Sequence, residues 1–154
     1  VRTTPATTSS VTLSSSPPNM IEFSSDNRTT ITPKFATSLL RLNFSSMISG
    51  QNSSAICSMK FYDQTNNANV GFSALGTGSS RTFCNASFRT KDHDANDRVH
   101  LNMTAYQAAS NTTARTYSIY GMIESGTMYM NMTTTDNAGC SYCPPVFTIE
   151  EIAQ

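Results

Sequence analysis

Residues 40–50 read LRLNFSSMISG, and apolar and polar side chains alternate along this stretch with a period of two. Residues 99–105, VHLNMTA, repeat the pattern. Successive side chains of a β-strand point to opposite faces of a sheet, so this alternation predicts strands with one buried face. The polar phase, which contains Asn43 and Asn102, then points toward solvent.

The same alternation recurs in short segments separated by polar or glycine-containing breaks, such as residues 76–78 and 136–137. Short strands with regularly spaced turn signals are typical of sandwiches and barrels. We therefore predict an all-β protein, an immunoglobulin-like β-sandwich of about seven to nine short strands. The best helix candidate is residues 35–42, but its Thr and Ser side chains compete for backbone hydrogen bonds. The segments interpreted as strands centre on residues 20–23, 40–48, 55–61, 70–74, 82–88, 99–105, 117–123, 128–132 and 146–152.

Residues 1–19 differ in composition from the rest of the chain, because Ser, Thr and Pro dominate and Arg2 is the only charge. We predict an extended N-terminal arm over 1–19 and a sandwich domain over 20–154. An extended arm can complete the sheet edge of a neighbouring copy as a donor strand, or it can fold back on its own domain. The sequence does not separate these alternatives, although the Ser- and Pro-rich spacer at 14–18 favours an arm that reaches outward. The residues assigned to the donor strand are Thr7, Ser9, Val11 and Leu13.

Seven of the thirteen asparagines lie in N-x-[ST] triplets, which are acceptors for N-linked glycan in exported proteins. Ser and Thr make up 44 of the 154 residues, so chance would give about four such triplets. Four of the asparagines fall on the polar phase of a predicted strand, and three fall in predicted turns. We therefore predict covalent glycans on the outside of the fold. The sites are Asn27, Asn43, Asn52, Asn85, Asn102, Asn111 and Asn131.

Four cysteines fit two disulfides in an exported chain, and four cysteines allow three pairings. We favour Cys57–Cys84, because both lie on core-facing phases of different predicted strands, together with Cys140–Cys143. The second pair lies among turn residues, with no helix for a redox site to open. A zinc site would need two further ligands near either pair, and the two histidines do not lie close in sequence.

An acidic segment at residues 92–97 holds the best metal candidates, since Asp92, Asp94 and Asn96 alternate as calcium ligands do in a loop. An EF-hand is excluded, because Asp97 stands where that loop needs glycine and Met103 where it needs glutamate. We interpret the segment as a solvated turn and predict no metal and no cofactor.

Catalytic constellations are absent from the sequence. There are two histidines, His93 and His100, and there is no G-x-S-x-G elbow, no H-E-x-x-H and no phosphate-binding glycine loop. Glu150 and Glu151 are adjacent and point to opposite faces of a strand, so they do not form the carboxylate pair of a glycosidase. We predict that the protein is not an enzyme.

Ten basic and ten acidic residues balance, and charged residues make up 13% of the chain, against about 25% in an ordinary soluble domain. Neither a nucleic-acid partner nor an acidic-substrate surface is indicated. No apolar run approaches the roughly 18–20 residues that span a bilayer, so we predict no membrane insertion. The polarity comes from hydroxyls and amides, which is typical of extracellular proteins. We interpret the chain, which starts at Val1, as a mature processed form.

This layout of extended arm, Pro-containing spacer and all-β body resembles a donor-strand-exchanging, immunoglobulin-like subunit of pilus-like extracellular filaments. The resemblance covers the whole chain as architecture and includes no family motif. It implies a structural protein whose partners are copies of itself, joined head to tail by β-strand addition, with glycans as additional contacts. The alternative is a secreted or cell-surface recognition module, such as an adhesin or receptor ectodomain.

Overall fold

The structure is a computed structural model that describes residues 2–5, 9–12, 20–50, 55–71, 84–89, 98–130 and 145–154. These residues form antiparallel strands and one 3-10 turn, Ser25–Asn27. Among them no helix is long and apolar enough to cross a membrane. In chain order the strands are β1 (Arg2–Pro5), β2 (Ser9–Thr12), β3 (Ile21–Glu22), β4 (Thr29–Ile31), β5 (Leu39–Gly50), β6 (Ile56–Asp63), β7 (Ala68–Asn69), β8 (Ala86–Arg89), β9 (Arg98–Ala108), β10 (Arg115–Ile123), β11 (Thr127–Met130) and β12 (Val146–Ile152).

The first sheet is built around β5. Along one side of β5, β9 pairs over its whole length. Along the other side, β12 and β11 follow one another, with Ile149 opposite Leu42 and Met130 opposite Ile48. The two arm strands, β1 and β2, pair with β12 and β11 and form the outermost row.

The second sheet has β10 and β6 at its centre, with Ile119 opposite Phe61. β3 and β4 pair with the far side of β10, and β7 and β8 pair with the far side of β6. The two sheets pack face to face, so the predicted all-β sandwich is confirmed.

The core lies between the sheets and is filled by the apolar phase of each strand. On β5, Leu40, Leu42, Phe44 and Ile48 are buried, while the residues between them along the first half of the strand are half-buried. The second sheet supplies Cys57, Met59, Phe61, Tyr117, Ile119 and Ile123. Phe61 stacks on Phe147 of the first sheet with ring centroids 5.6 Å apart. Each fully buried large side chain contributes about 1.5–3 kcal/mol to folding, so burial of the apolar phases favours packing of the two layers against each other.

Asn85 fills an interruption at the edge of the second sheet. β8 pairs with β6 up to Met59 and β7 pairs from Tyr62 onward. The Val70 N–H, just beyond β7, donates to the Phe61 carbonyl at 3.2 Å, but neither strand supplies an acceptor for the Phe61 N–H. The Asn85 Oδ1 accepts a hydrogen bond from the Phe61 N–H at 2.8 Å, and its Nδ2 donates to the Val70 carbonyl at 3.3 Å. The side chain thus replaces a backbone partner that the ladder lacks.

Individual elements differ only in part from the sequence-based expectations. The poorly supported helix candidate at residues 35–42 is a turn followed by the start of β5, and Leu40 and Leu42 are buried together at strand spacing. This agrees with the strand predicted over residues 40–48. β4 was not foreseen, since three residues are too short for a visible alternation. Of the fourth predicted strand, residues 70–74, only Val70 and Gly71 are described; neither is in a strand, and β7 ends just before them at Asn69.

Candidate functional site

The edge of the first sheet that carries the arm is the candidate functional site. The arm runs antiparallel to β12 and β11, with Arg2 opposite Ile149, Pro5 opposite Val146, Ser9 opposite Met130 and Thr12 opposite Thr127. Backbone pairing of this kind gives affinity without requiring any one side chain. A Ser- and Thr-rich segment is therefore compatible with the edge.

The strands beneath the arm contribute directly to the hydrophobic core. Met128 and Met130 of β11 and Phe147 and Ile149 of β12 are fully buried. They lie at alternate positions, and the residues between them on β12 are exposed or half-buried. The edge formed by β11 and β12 is thus one boundary of the core. Pairing of the arm with this edge therefore also helps to cover the apolar side chains of these two strands.

Two of the four predicted donor-strand residues lie in the paired segment. Ser9 stands opposite Met130 and Val11 opposite Met128, so both occupy register positions of buried partners. Thr7 and Leu13 lie outside the described residues. Of the two arrangements left open by the sequence, the single chain adopts the one in which the arm pairs with its own domain.

The outer face of the first sheet carries two of the predicted glycan acceptors. Asn102 is exposed on β9 and Asn43 is half-exposed on β5. The two triplets run antiparallel, so that Asn43 stands opposite Thr104 and Asn102 opposite Ser45. The Thr104 hydroxyl donates to Asn43 Oδ1 at 2.9 Å. This arrangement places both acceptors on a hydroxyl- and amide-rich surface.

Asn111 lies in an exposed turn between β9 and β10. Its Oδ1 accepts hydrogen bonds from the Thr113 N–H at 3.1 Å and the Thr113 hydroxyl at 2.7 Å. The preceding residue, Ser110, has a positive φ of 60°, as tight turns require. The prediction that this triplet forms a turn agrees with the structure.

The expectation of a surface position is wrong for Asn27. This residue is fully buried, and its Nδ2 donates to the Met130 sulfur at 3.5 Å. The 3-10 turn over residues 25–27 directs it inward, and a sugar on that nitrogen would have no room in a packed interior. Asn85 is half-buried, and both of its amide atoms are engaged by backbone. Asn52 and Asn131 lie outside the described residues.

The predicted Cys57–Cys84 disulfide is not present, because both cysteines are free. Cys57 stands opposite Phe88, and Cys84 lies four positions before Phe88 along the chain. At about 3.3 Å per residue this separates the two cysteines by roughly 13 Å, well beyond the 7 Å that a bridge tolerates. Burial raises the pKa of the Cys57 thiol to about 12, so the thiol is unreactive at neutral pH. Cys140 and Cys143 lie outside the described residues.

The calcium candidates Asp92, Asp94 and Asn96 lie outside the described ranges. Within those ranges, no group of three or more His, Cys, Asp or Glu side chains could hold a metal ion.

A buried polar cluster that the sequence did not reveal ties one end of the sandwich together. The fully buried Asp63 carboxylate accepts hydrogen bonds from the Asn66 N–H and Nδ2 at 3.0 and 2.7 Å, and from Gln107 Nε2 at 3.2 Å. The buried Arg115 guanidinium lies 4.0 Å away and donates to the Ala108 carbonyl. The cluster connects β6, β9 and β10, and we interpret its role as structural.

The outer face of the second sheet presents an aromatic pair. Tyr62 and Tyr120 lie with ring centroids 4.5 Å apart, and Lys60 Nζ lies 5.5 and 5.7 Å from the two centroids. Gln64 Nε2 donates to the Tyr120 hydroxyl at 3.2 Å and to Ser118 Oγ at 2.7 Å. Half-burial lowers the pKa of Lys60. Amphipathic rings beside fixed polar groups are common at recognition surfaces.

No protein-family model matches the chain, and no curated protein sequence matches it.

Proposed function

We propose that this chain is the structural subunit of a secreted fibril, in which the N-terminal strand of one copy pairs with the β11–β12 edge of the next. The observation that carries the proposal is the mode of attachment of the arm. It forms a separate outer row, held by antiparallel pairing to two strands whose alternate residues bound the core.

Exchange of this arm between copies would preserve every pairing that the single chain makes. A segment from a neighbour can adopt the same register on β11 and β12, because strand addition depends on backbone geometry. Domain swapping of this kind costs little, since the interactions of the closed and exchanged forms are the same. The Ser- and Pro-rich spacer at residues 14–18 supplies the connection that would carry the arm strands outward.

The proposal includes an extracellular location. The exposed acceptor asparagines, the low charge content and the hydroxyl-rich outer face fit a glycan-coated assembly. Such coats keep a large polymer soluble without a high net charge. The glycans would stand on the outer face of the first sheet and in the turn at Asn111.

Removal of residues 1–16 tests the proposal. We expect the shortened chain to be a soluble monomer or a poorly stable domain, because the β11–β12 edge loses its partner. A synthetic peptide of residues 1–16 added in trans should bind and restore thermal stability. A control peptide with Ser9→Pro and Val11→Pro lacks two backbone donors and should bind more weakly. Filaments formed by the shortened chain, viewed by negative-stain electron microscopy, would refute the proposal.

A monomeric recognition module is the second candidate, and it is favoured by the arm that pairs with its own domain and by the Tyr62–Tyr120 face. This function requires a monodisperse monomer at all concentrations. Sedimentation velocity on the full-length chain distinguishes the two candidates, since a fibril subunit gives concentration-dependent larger species.

A further inference from the structure

The first sheet has a second edge that is long and uninterrupted. β9 extends over 11 residues, contains neither Pro nor Gly, and pairs on one side with β5. No strand among the described residues pairs with its other side. Its outward-facing side chains His100, Asn102, Thr104 and Tyr106 are exposed. Natural proteins normally blunt such an edge, since it offers a row of unpaired backbone groups.

The second sheet shows the ordinary solution to this problem. Its outer strands β3, β4, β7 and β8 are two to four residues long, and on each side two of them share the length of one central strand. Short edge strands discourage pairing with other chains. Among the described residues, the β9 edge has none of this protection.

Strand directions in the first sheet alternate from one edge to the other. β9 is antiparallel to β5, β11 and β12 are antiparallel to β5, and the arm is antiparallel to β11 and β12. The arm therefore runs in the same direction as β5 and opposite to β9. A copy displaced by simple translation across the sheet would bring its β9 beside the arm in antiparallel orientation.

The two edges also lie at the same height along the strands. Arg2 is in line with Ala105 through Ile149 and Leu42. Likewise Ser9 is in line with Val99 through Met130 and Ile48. Ser10 is in line with Arg98 through Tyr129 and Ser49, so the arm strands overlap β9 from Arg98 to Ala105.

We propose that the β9 edge binds the outer edge of an arm that lies on a neighbouring copy, so that the first sheets of successive copies join into one continuous antiparallel sheet. The inference rests on the proposed fibril function and names its second contact. Unlike edges that meet head to tail generate an open chain of copies, whereas like edges would close into a dimer. The same arm–β9 contact forms whether the arm belongs to the domain that it covers or has been exchanged.

Disulfide trapping tests this contact, because the arm and β9 cannot reach each other within one chain. Three strand spacings of about 4.8 Å separate them, roughly 14 Å, whereas a disulfide needs Cα atoms within about 7 Å. Thr3 is in line with Thr104 through Thr148 and Asn43. The double variant Thr3→Cys/Thr104→Cys, oxidised with glutathione disulfide, should give a ladder of covalent multimers on a non-reducing gel.

A matched pair reports on the arm itself. Thr3→Cys/Thr148→Cys joins the arm to its register partner on β12. The oxidised product is a closed monomer if the arm pairs with its own domain, and a ladder of multimers if arms exchange between copies. The parent chain and Thr3→Cys alone control for the native cysteines. The arm and β9 of the neighbouring copy could pair two residues out of this register. Asn102→Cys and Tyr106→Cys therefore replace Thr104→Cys in parallel samples.

Each outcome has one meaning. A ladder from Thr3→Cys with any of the three β9 positions supports the edge contact. A ladder from the Thr148→Cys pair without any β9 ladder overturns the inference and leaves arm exchange standing. A β9 ladder with a closed Thr148→Cys monomer supports the edge contact and overturns exchange. A closed Thr148→Cys monomer with no ladder from any β9 variant overturns both.

Discussion

Replacement of Asn85 by alanine is the sharpest test of how the second sheet is held together. The change removes the hydrogen bond that serves the Phe61 N–H and the one donated to the Val70 carbonyl. Each hydrogen bond contributes about 0.5–1.5 kcal/mol, and the Phe61 N–H, on a fully buried residue, would be left without its acceptor. We expect Asn85→Ala to lower the free energy of unfolding by about 2–3 kcal/mol.

Asn102→Ala is the matched control. Both substitutions remove one glycan acceptor triplet, but the Asn102 side chain is exposed and its hydrogen bond is to another exposed side chain, His100. A change within about 0.5 kcal/mol is expected for such a surface position. Urea titration monitored by circular dichroism should show a lower midpoint with an unchanged slope for Asn85→Ala. Thermal melting should fall by roughly 5–10 °C for a chain of this size.

Equal stability of the two variants would refute the argument. It would mean that the Phe61 N–H finds another partner or that the side chain of Asn85 points to solvent.

Peptide mapping of glycans on the parent protein tests a separate point, which asparagines are exposed. Glycan is expected on Asn43, Asn102 and Asn111 and not on Asn27, and glycan on a folded chain at Asn27 would contradict its burial.

Three further changes test packing, thiol chemistry and acid stability. A Cβ at Gly121 would collide with the ring of Phe23, so Gly121→Ala should cost about 1–3 kcal/mol in chemical unfolding, and a neutral result would disprove this close approach. Alkylation with iodoacetamide at pH 8 should spare Cys57 until the protein unfolds, because burial raises its pKa to about 12, and a Cys57–Cys84 linked peptide would contradict the structure. The hydrogen bond from Arg28 lowers the pKa of Glu22 below its ordinary 4.5. The ionised carboxylate therefore stabilises the fold above pH 4.5, and this stabilisation is lost as the pH falls through the lowered pKa. Glu22→Gln should flatten the acid side of a plot of melting temperature against pH, and an unchanged acid side would exclude a contribution of Glu22 to acid stability.

The central strands could be predicted from sequence because their signal is local. β5, β9 and β10 are long enough for several alternations, and their apolar phases are the buried phases of the structure. β4 has three residues, which is too few to show a period. The strand predicted over residues 40–48 prevails over the weak helix candidate at 35–42, because Leu40 and Leu42 are buried on one strand face.

The candidate site was foreseen in part. Composition separated the arm from the body, and the structure pairs the arm with a sheet edge. Which edge it would occupy depends on register between segments more than a hundred residues apart, and no local pattern carries that information. The sequence also did not show that β9 has no partner on its outer side within the described part of the chain, since an edge strand and a central strand share the same alternation.

The sequence by itself determined the β class, the inward and outward faces of the long strands and the distinct character of the first nineteen residues, because each follows from side-chain chemistry at fixed local spacing. Only the tertiary structure decided that Asn27 is buried, that Cys57 and Cys84 are far apart and that the arm lies on β11 and β12. These features depend on which strands meet and in what register, and packing of the whole core selects that arrangement.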